Sequence, residues 1–333
     1  MIASLAHVAD AAIDRREMAR IAALAVRCLA LEAETWPKPG LVNPIDSGSH
    51  DDMDIDTFRR SAAALEPFFA QLADAGAQGS AMGRLRLIGV EAEAAMLRAT
   101  GGVNTHRGAI FGLGLLCAAA GLRAGGLVDP ARPLGAVVAA RWRDGIVQSP
   151  EPLHSHGGAA RRRFGAGGAR QEAAEGFPTI YAVGLPALRR GAALRACGAA
   201  VDPETMSSRA QRRILETAPE LPRCARGDGS TAAPGAAVSS RLAIGNGQAA
   251  RVQACFALIA HLEDTNLLHR GGLDGLRFAR AATGAFLARG GVGQPDWLEQ
   301  ASAVHRAFVA RRLSPGGSAD LLAMSLFVEA CGP

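Results

Sequence analysis

Apolar residues recur along much of the chain at the three- and four-residue spacing of amphipathic helices. Between residues 14 and 33 they return at that spacing, while arginines occupy other positions. The spacing predicts a first helix, which Pro37 and Pro39 stop because proline cannot continue a helix. A polar loop follows to about residue 54, where Asp54 or Asp56 is placed to cap the next helix.

The middle of the chain carries the clearest pair of helices. An apolar stripe over 88–99 is ended by two glycines, and a run of small apolar residues over 108–122 follows. Asn104 or Thr105 is placed to cap this second helix. Since small residues allow helices to approach closely, we predict that 108–122 is a central buried helix.

The remaining segments predict an all-α fold, a single multi-helix domain over 1–333 with glycine-rich functional loops. There is no convincing alternation of strands with helices and no internal repeat. A further strong helix begins near residue 252, and a turn after it ends at Gly271-Gly272. The other assignments are loop and weak helix over 123–150, a broken helix over 157–175, a helix over 178–194, a flexible connection over 221–247, and helices over 276–288, 297–311 and, capped by Ser318, 319–328.

Composition supports this reading and narrows the function. Hydrophobic residues make up 49% of the chain, as in a globular protein. Aromatic residues, which favour strands, make up only 5%. Arginine supplies nearly all of the positive charge behind the net +5, but no nucleic-acid-binding signature appears. The six cysteines are scattered without a paired motif, and the apolar run 108–122 is too short to span a bilayer. We therefore expect a cytoplasmic protein that binds neither nucleic acid nor membrane.

Six loops share an uncommon composition. Each places Asp, His, Asn, Thr, Ser, Lys or Arg beside glycine at a helix boundary. A helix N-terminus carries free N–H groups and partial positive charge, so it suits phosphate. Glycine lets backbone approach a ligand, and carboxylates in such loops suit Mg²⁺. Together these features predict a site for a nucleotide polyphosphate.

The first two loops supply a cation and an acidic cluster. Lys38, the single lysine, lies between two prolines and is either a phosphate-binding charge or an exposed turn residue. Asp51 and Asp52 follow His50 and repel each other unless a cation or a helix end relieves them. We predict Asp51 and Asp52 as Mg²⁺ ligands, with an acidic helix cap as the alternative. His50 is a candidate general base or a solvated loop histidine.

The third and fifth loops resemble each other in residue types. Asn104, Thr105, His106 and Arg107 place four hydrogen-bonding groups at one helix start, although a cap needs only one. We predict that the first two and Arg107 bind phosphate, while His106 either moves a proton or holds a phosphate.

In the fifth loop, Asp264 follows an apolar helix and is a candidate Mg²⁺ ligand. Arg270 and Gly271 are predicted to bind phosphate. The alternative is a helix end with local hydrogen bonds.

The fourth and sixth loops complete the set. Arg170 and Glu172 fit a phosphate clamp and an orienting or proton-transferring carboxylate, or else a surface ion pair. Gly317 and Ser318 fit a backbone phosphate cradle, or else a helix cap. No Gly-Lys-Ser/Thr follows, so this is not a P-loop.

These segments together resemble the triphosphoribosyl-dephospho-CoA synthase family. The resemblance covers residues 28–325 in order. The matching segments are 37–42, 48–50, 52–53, 102–106 with Gly108 and Phe111, 168–170, 172–173, 176–178, 264–266, 269–272 and 314–322. The sequence at positions 34–36 and 47–50 is closer to that of the malonate decarboxylase branch. Arg107 stands where many members have lysine, which changes phosphate geometry.

The resemblance implies an all-α transferase that converts ATP and 3′-dephospho-CoA into 2′-(5″-triphosphoribosyl)-3′-dephospho-CoA and adenine. A separate transferase would then load that product onto an acyl-carrier protein, and a homodimer is one assembly considered. Two other classes stay open: a Mg²⁺-dependent hydrolase of ADP-ribose-like substrates and a non-catalytic nucleotide-binding partner.

Overall fold

The computed structural model describes residues 2–149, 158, 162–198 and 247–332, with side chains left out for 2–14 and 196–198. Within these ranges the regular structure is entirely helical, which confirms the all-α prediction. The connection predicted over 221–247 lies outside the described residues except for its last position. The helices are α1 Ile2–Ala33, α2 Ile55–Ala77, α3 Met82–Ala99, α4 Arg107–Ala124, α5 Leu134–Gln148, α6 Gly168–Ala174, α7 Leu185–Gly198, α8 Gln248–His261, α9 Thr265–Ala288, α10 Trp297–Val309 and α11 Gly316–Cys331.

Helix α4 lies at the centre, as its small residues predict. It packs against α1, α2, α3, α5, α6 and α11. Its crossing with α2 brings backbones together: a Cβ on Gly76 would lie 1.9 Å from the Ala118 oxygen, and one on Gly121 1.9 Å from the Ala73 oxygen. By length and composition alone α4 could cross a membrane, but 72% of it is buried inside the protein, as in a core helix.

Several predicted boundaries hold. Helix α1 ends at Ala33, and α2 starts behind Asp54, whose carboxylate accepts the Thr57 N–H at 2.8 Å in a capping box. Free cysteines occupy the interior at Cys28, Cys117 and Cys255.

Other predictions are wrong for identifiable reasons. Residues 134–148 form a complete helix, whose buried stripe includes Val138, Trp142 and Ile146 and is masked in sequence by nearby glycines. The turn predicted to end at Gly271-Gly272 is instead helical, because α9 begins at Thr265 and continues through a kink, where Gly272 has φ +60°. Helix α11 starts two residues before Ser318, so Ser318 is not its cap.

Candidate active site

All six polar loops border one cavity of about 960 Å³. Residues in the first turns of α4, α6, α9 and α11 contribute to its wall. Most of the predicted site residues line it, namely Lys38, His50, Asp52, Asn104, Thr105, His106, Arg107, Arg170, Glu172, Arg270 and Gly317. The predicted residues that do not line it are Asp51, Asp264, Gly271 and Ser318.

A buried histidine fixes the first loop. His305 of α10 has Nδ1 2.5 Å from the Lys38 carbonyl oxygen and 3.3 Å from the Gly40 nitrogen. Its Nε2 lies 3.1 Å from the Asp46 carboxylate. The loop is held further by Ser49, whose hydroxyl donates to the Leu313 carbonyl at 2.7 Å. Contacts between residues this distant in sequence gave no local signal for His305.

Both ring nitrogens of His50 are engaged. The Arg270 guanidinium donates to Nδ1 at 3.2 Å, and Nε2 lies 2.8 Å from the Ser314 hydroxyl. A guanidinium has no acceptor, so Nδ1 must accept and Nε2 must carry the proton. Burial and Arg270 lower the pKa of His50. In this arrangement the ring has no unengaged lone pair with which to take a proton from a substrate.

His106 is enclosed at the start of α4. Its Nδ1 lies 2.6 Å from the Ser61 hydroxyl, to which Thr105 donates at 2.7 Å. The ring stands edge-on to Phe58, with centroids 4.9 Å apart. Burial and the Lys38 charge lower the pKa of His106 to about 3. The imidazole is therefore neutral at physiological pH.

The first turn of α4 keeps unused donors. The Asn104 side chain accepts the Arg107 N–H at 3.2 Å, so Asn104 supplies a capping interaction. The Arg107 guanidinium pairs with Glu93, but its Nε is buried and has no hydrogen-bond partner. The same holds for His106 Nε2. A buried polar group without a partner calls for an explanation, and a bound ligand is one.

Lys38 is neither exposed nor free. Its side chain is 1% exposed, and its ammonium lies 2.5 Å from the Glu32 carboxylate of α1. Both residues line the cavity. A buried pair of this kind is costly to break, because either member alone would be an uncompensated charge. The alternative of an exposed turn lysine is wrong.

Asp320 is a cavity carboxylate that the sequence motif contained but to which no role was assigned. It accepts the backbone N–H of Ala109 in the first turn of α4. A Cβ on Gly108 would lie 2.0 Å from Asp320 Oδ2, so only glycine leaves room for this carboxylate. Burial, then Glu32 and Asp264, raise the pKa of Asp320 well above its ordinary value. Asp320 thus occupies part of the helix end that was predicted for phosphate.

Glu172 and Arg170 are held by the protein on the opposite loop. Glu172 accepts the Thr179 N–H at 2.7 Å and the Thr179 hydroxyl at 3.0 Å. Burial raises the pKa of Glu172. Arg170 donates to the Ser149 carbonyl.

Asp264 is a capping residue in this structure. It is fully buried and accepts the Ser318 N–H at 2.8 Å, the Ser318 hydroxyl at 2.9 Å and the Asn266 N–H at 2.9 Å. Both the N–H and the hydroxyl of Ser318 donate to this carboxylate. The predicted contact of Ser318 with phosphate is therefore not supported. Gly317 lines the cavity beside Asp264.

Arg270 and Gly271 have different surroundings. Arg270 also donates to the carbonyls of Ser49 at 3.0 Å and Arg312 at 3.2 Å, bridging three loops at the cavity edge. Gly271 packs where a Cβ would lie 2.6 Å from the Leu313 side chain. Gly271 therefore serves close packing, and its predicted phosphate contact has no structural support.

The three predicted metal ligands do not come together. Asp51 is 88% exposed beside Arg312, whereas Asp264 is fully buried. In the part of the chain described, no three His, Cys, Asp or Glu side chains are grouped to hold a metal ion. Asp52 lines the cavity with its carboxylate 3.6 Å from His50 Nδ1. Of the three, Asp52 is the one placed to reach a ligand in the cavity.

The helical fold and this cavity are typical of an enzyme that acts on a small molecule, with buried acid–base groups and charged side chains of both signs in its wall. The profile of the ATP:dephospho-CoA triphosphoribosyl transferase family matches residues 18–203 and 232–332. The chain belongs to this family and is a transferase.

Curated relatives agree with that assignment. A probable 2-(5''-triphosphoribosyl)-3'-dephosphocoenzyme-A synthase of Stutzerimonas stutzeri is 36% identical, covering 100% of this chain and 97% of the relative. Proteins with the same name from Azotobacter vinelandii and Acinetobacter calcoaceticus are 36% and 33% identical, covering 97% and 93% of this chain and 95% and 90% of theirs. No solved structure matches the chain.

Proposed function

We propose that this protein transfers the triphosphoribosyl group of ATP to the 2′-hydroxyl of 3′-dephospho-CoA and releases adenine. Family membership and the names of the relatives support this reaction class. The observation that carries the proposal is the convergence of all six polar loops on one cavity. Their separation along the sequence makes a purely local capping role insufficient to explain the set.

The size and charge of the cavity suit nucleotides. Small-molecule sites usually enclose roughly 300–1,000 Å³, and this cavity of about 960 Å³ is at the upper end of that range. The cations Arg107, Arg170 and Arg270 in its wall favour phosphate oxygens. We assign the triphosphate to this wall, with the Asn104 side-chain amide as a neutral donor beside it, because the Thr105 hydroxyl already donates to Ser61.

The reaction exchanges one bond at the ribose. The 2′-oxygen forms a bond to C1′ of ATP, the C1′–N9 bond breaks, and its electron pair leaves with adenine. By analogy with glycoside chemistry the transition state resembles an oxocarbenium ion. Holding the two substrates in register supplies much of the rate, since proximity is worth about 7–11 kcal/mol in favourable cases.

We assign the proton of the attacking hydroxyl to the Asp320 carboxylate, while adenine takes its proton from solvent. His50 has both nitrogens engaged, and Glu172 is bound by Thr179. Asp320 accepts one backbone hydrogen bond, and burial raises the pKa of this carboxyl, which makes its carboxylate a stronger base. Its negative charge would also stabilise the oxocarbenium ion.

Magnesium fits the site only together with the nucleotide. Mg²⁺ usually takes one or two carboxylates and completes its shell with phosphate oxygens and water. Asp52 supplies such a carboxylate on the cavity wall, and bound Mg²⁺ would neutralise the triphosphate charge. We therefore propose Asp52 as the protein ligand of a nucleotide-bound Mg²⁺.

We place the product in prosthetic-group synthesis for malonate decarboxylase. The amino acids at positions 34–36 and 47–50 support that branch. A separate cytoplasmic transferase would attach the product to the acyl-carrier protein.

The test is to incubate the protein with Mg-ATP and 3′-dephospho-CoA and to follow nucleotides by liquid chromatography and mass spectrometry. We expect adenine and the coupled product in equal amounts. ADP or AMP without adenine would reject glycosyl transfer. Free triphosphoribose without coupling would indicate the hydrolase instead, and ATP binding without turnover would indicate a binding partner.

A further inference from the structure

The first turn of α4 holds two polar atoms that lack a partner. In the described part of the chain, His106 Nε2 and Arg107 Nε are the buried side-chain nitrogens or oxygens without a hydrogen bond. They belong to consecutive residues that both line the cavity. Native proteins leave few such groups, and their pairing at one place points to a ligand that completes them.

A two-step hydrogen-bond chain determines which nitrogen of His106 carries the proton. Thr105 donates its hydroxyl to Ser61 Oγ at 2.7 Å, and Ser61 Oγ lies 2.6 Å from His106 Nδ1. With Thr105 donating to Ser61, the Ser61 hydrogen is available for Nδ1, and both hydroxyl hydrogens have acceptors. The reverse direction would take the Thr105 hydrogen away from its acceptor, Ser61 Oγ.

The surroundings keep the ring in one orientation. Ser61 belongs to α2 and is fully buried, so it cannot turn toward water. Phe58, one turn earlier on α2, contacts the ring edge-on. The His106 backbone N–H contacts Met96 Sδ at 3.2 Å, which holds the residue at the end of α3.

From this geometry we infer that His106 presents a fixed Nε2–H to a phosphate oxygen of the nucleotide, and that Ser61 is the positioning residue that sets this tautomer. The inference rests on the proposed function for the identity of the anion. A neutral imidazole whose Nδ1 accepts a hydrogen bond has its proton on Nε2.

The alternative role, proton acceptor from the substrate, fits less well. Burial and Lys38 lower the pKa of His106 to about 3, so the ring is a weak base. Nε2–H and Arg107 Nε–H are both donors beside a positive helix end, which suits a charged oxygen. The Glu93 partner of Arg107 occupies a different nitrogen, Nη2, and leaves Nε available.

The direct test is long-range ¹H–¹⁵N spectroscopy of the full protein labelled at histidine. The His106 signal is assigned by its loss in His106→Gln. We expect a protonated Nε2 and an unprotonated Nδ1, unchanged between about pH 5 and pH 8 because the pKa of about 3 lies below that range. A protonated Nδ1 with a bare Nε2 would overturn the inference, whether or not the protein proves to be a triphosphoribosyl transferase.

A matched pair of variants tests the contact with the anion. The amide nitrogen of glutamine can stand near imidazole Nε2, and that of asparagine near Nδ1. We expect His106→Gln to keep ATP affinity within a few-fold of wild type and His106→Asn to lose about tenfold or more. Equal losses would contradict a specific Nε2–H contact. If wild type makes no coupled product, the proposed function fails, whereas the spectra and ATP affinities still decide this inference.

Ser61 supplies the remaining test. We expect Ser61→Ala to allow both tautomers in the spectra and to weaken ATP binding about tenfold, and Ser61→Thr, which keeps a hydroxyl, to restore the single tautomer. If Ser61→Ala retains both the tautomer and the ATP affinity of wild type, Ser61 does not position the ring. Folding of each variant is checked by circular dichroism. If a variant does not fold, the ¹H–¹⁵N spectrum of the wild-type protein decides the tautomer.

Discussion

A single methyl group at residue 108 should disable the proposed proton acceptor without removing it. In Gly108→Ala the new Cβ would lie 2.0 Å from Asp320 Oδ2 and 3.0 Å from its Cγ. Contacts this short do not persist, so the Asp320 carboxylate must retreat by about 1 Å or more. Gly284 of α9 offers the matched control, because nothing lies within 4 Å of its added Cβ.

The expected changes in stability are small. Replacing a helical glycine with alanine stabilises by about 1 kcal/mol, which is what Gly284→Ala should gain. At Gly108 the same gain opposes loss of the hydrogen bond from the Ala109 N–H to a carboxylate, worth about 1.5–3 kcal/mol. The net loss of about 0.5–2 kcal/mol is well below the stability of about 5–15 kcal/mol typical of a folded domain. Gly108→Ala should therefore fold.

The expected change in rate is large. A catalytic group displaced by about 1 Å can cost roughly 10²-fold, and loss of general base catalysis about 10²–10⁴-fold. We expect Gly108→Ala to lower kcat for adenine release about 10²-fold, with Gly284→Ala equal to wild type. Initial rates at saturating substrates, with thermal unfolding run in parallel, provide the measurement. A folded Gly108→Ala with kcat within threefold of wild type would refute the assignment of Asp320.

Three further tests, which use five substitutions, address separate parts of the site. Burial raises the pKa of Asp320, so the native state keeps this proton to higher pH than the unfolded chain, and the associated stability is present at low pH and lost as pH rises through the native pKa. Asp320→Asn should remove this pH dependence from the free energy of unfolding, measured by denaturation at several pH values. It should also abolish the fall of kcat at low pH. Unchanged pH profiles of stability and kcat would exclude Asp320 as the proton acceptor. Lys38→Met should lower the free energy of unfolding by about 3–5 kcal/mol, because it leaves Glu32 buried without a cation, and adding Glu32→Leu should recover most of the loss in urea denaturation; no loss would make Lys38 dispensable to the fold. Asp52→Asn should raise the Mg²⁺ concentration for half-maximal activity and Asp264→Asn should lower the melting temperature without that shift, and the reverse pattern would return Asp264 to the metal site.

The sequence predicted the helices whose apolar stripes are uninterrupted. Helices α4 and α11 were found because their patterns are long, and Asp54 because a cap is a local signal. Helix α5 was missed because Gly135 and Gly145 weaken a stripe that only packing makes visible. The kink at Gly272 depends on tertiary context in the same way.

The sequence predicted which loops form the candidate site but not which residues of the helices pair with them. Composition located the six loops, and the cavity brings them together. Composition did not indicate that Glu32, inside a helix, pairs with Lys38, or that Ser61 contacts His106. Such partners carry no local signal, since nothing around an isolated helical serine or glutamate distinguishes it from a surface residue. Asp264, predicted as a candidate Mg²⁺ ligand, is buried and accepts local hydrogen bonds at helix ends, as the alternative for that loop proposed.

Transfer of the triphosphoribosyl group to the 2′-oxygen is tested most directly by comparing 3′-dephospho-CoA with its 2′-deoxy analogue, which keeps the 3′-hydroxyl. The protein is incubated with each compound and Mg-ATP, and the products are resolved by mass spectrometry. The account predicts one adenine per coupled nucleotide with 3′-dephospho-CoA and no coupled product with the 2′-deoxy analogue, whereas coupling to that analogue would contradict it. Adenine released equally well without dephospho-CoA, or formation of ADP or AMP in place of adenine, would contradict it.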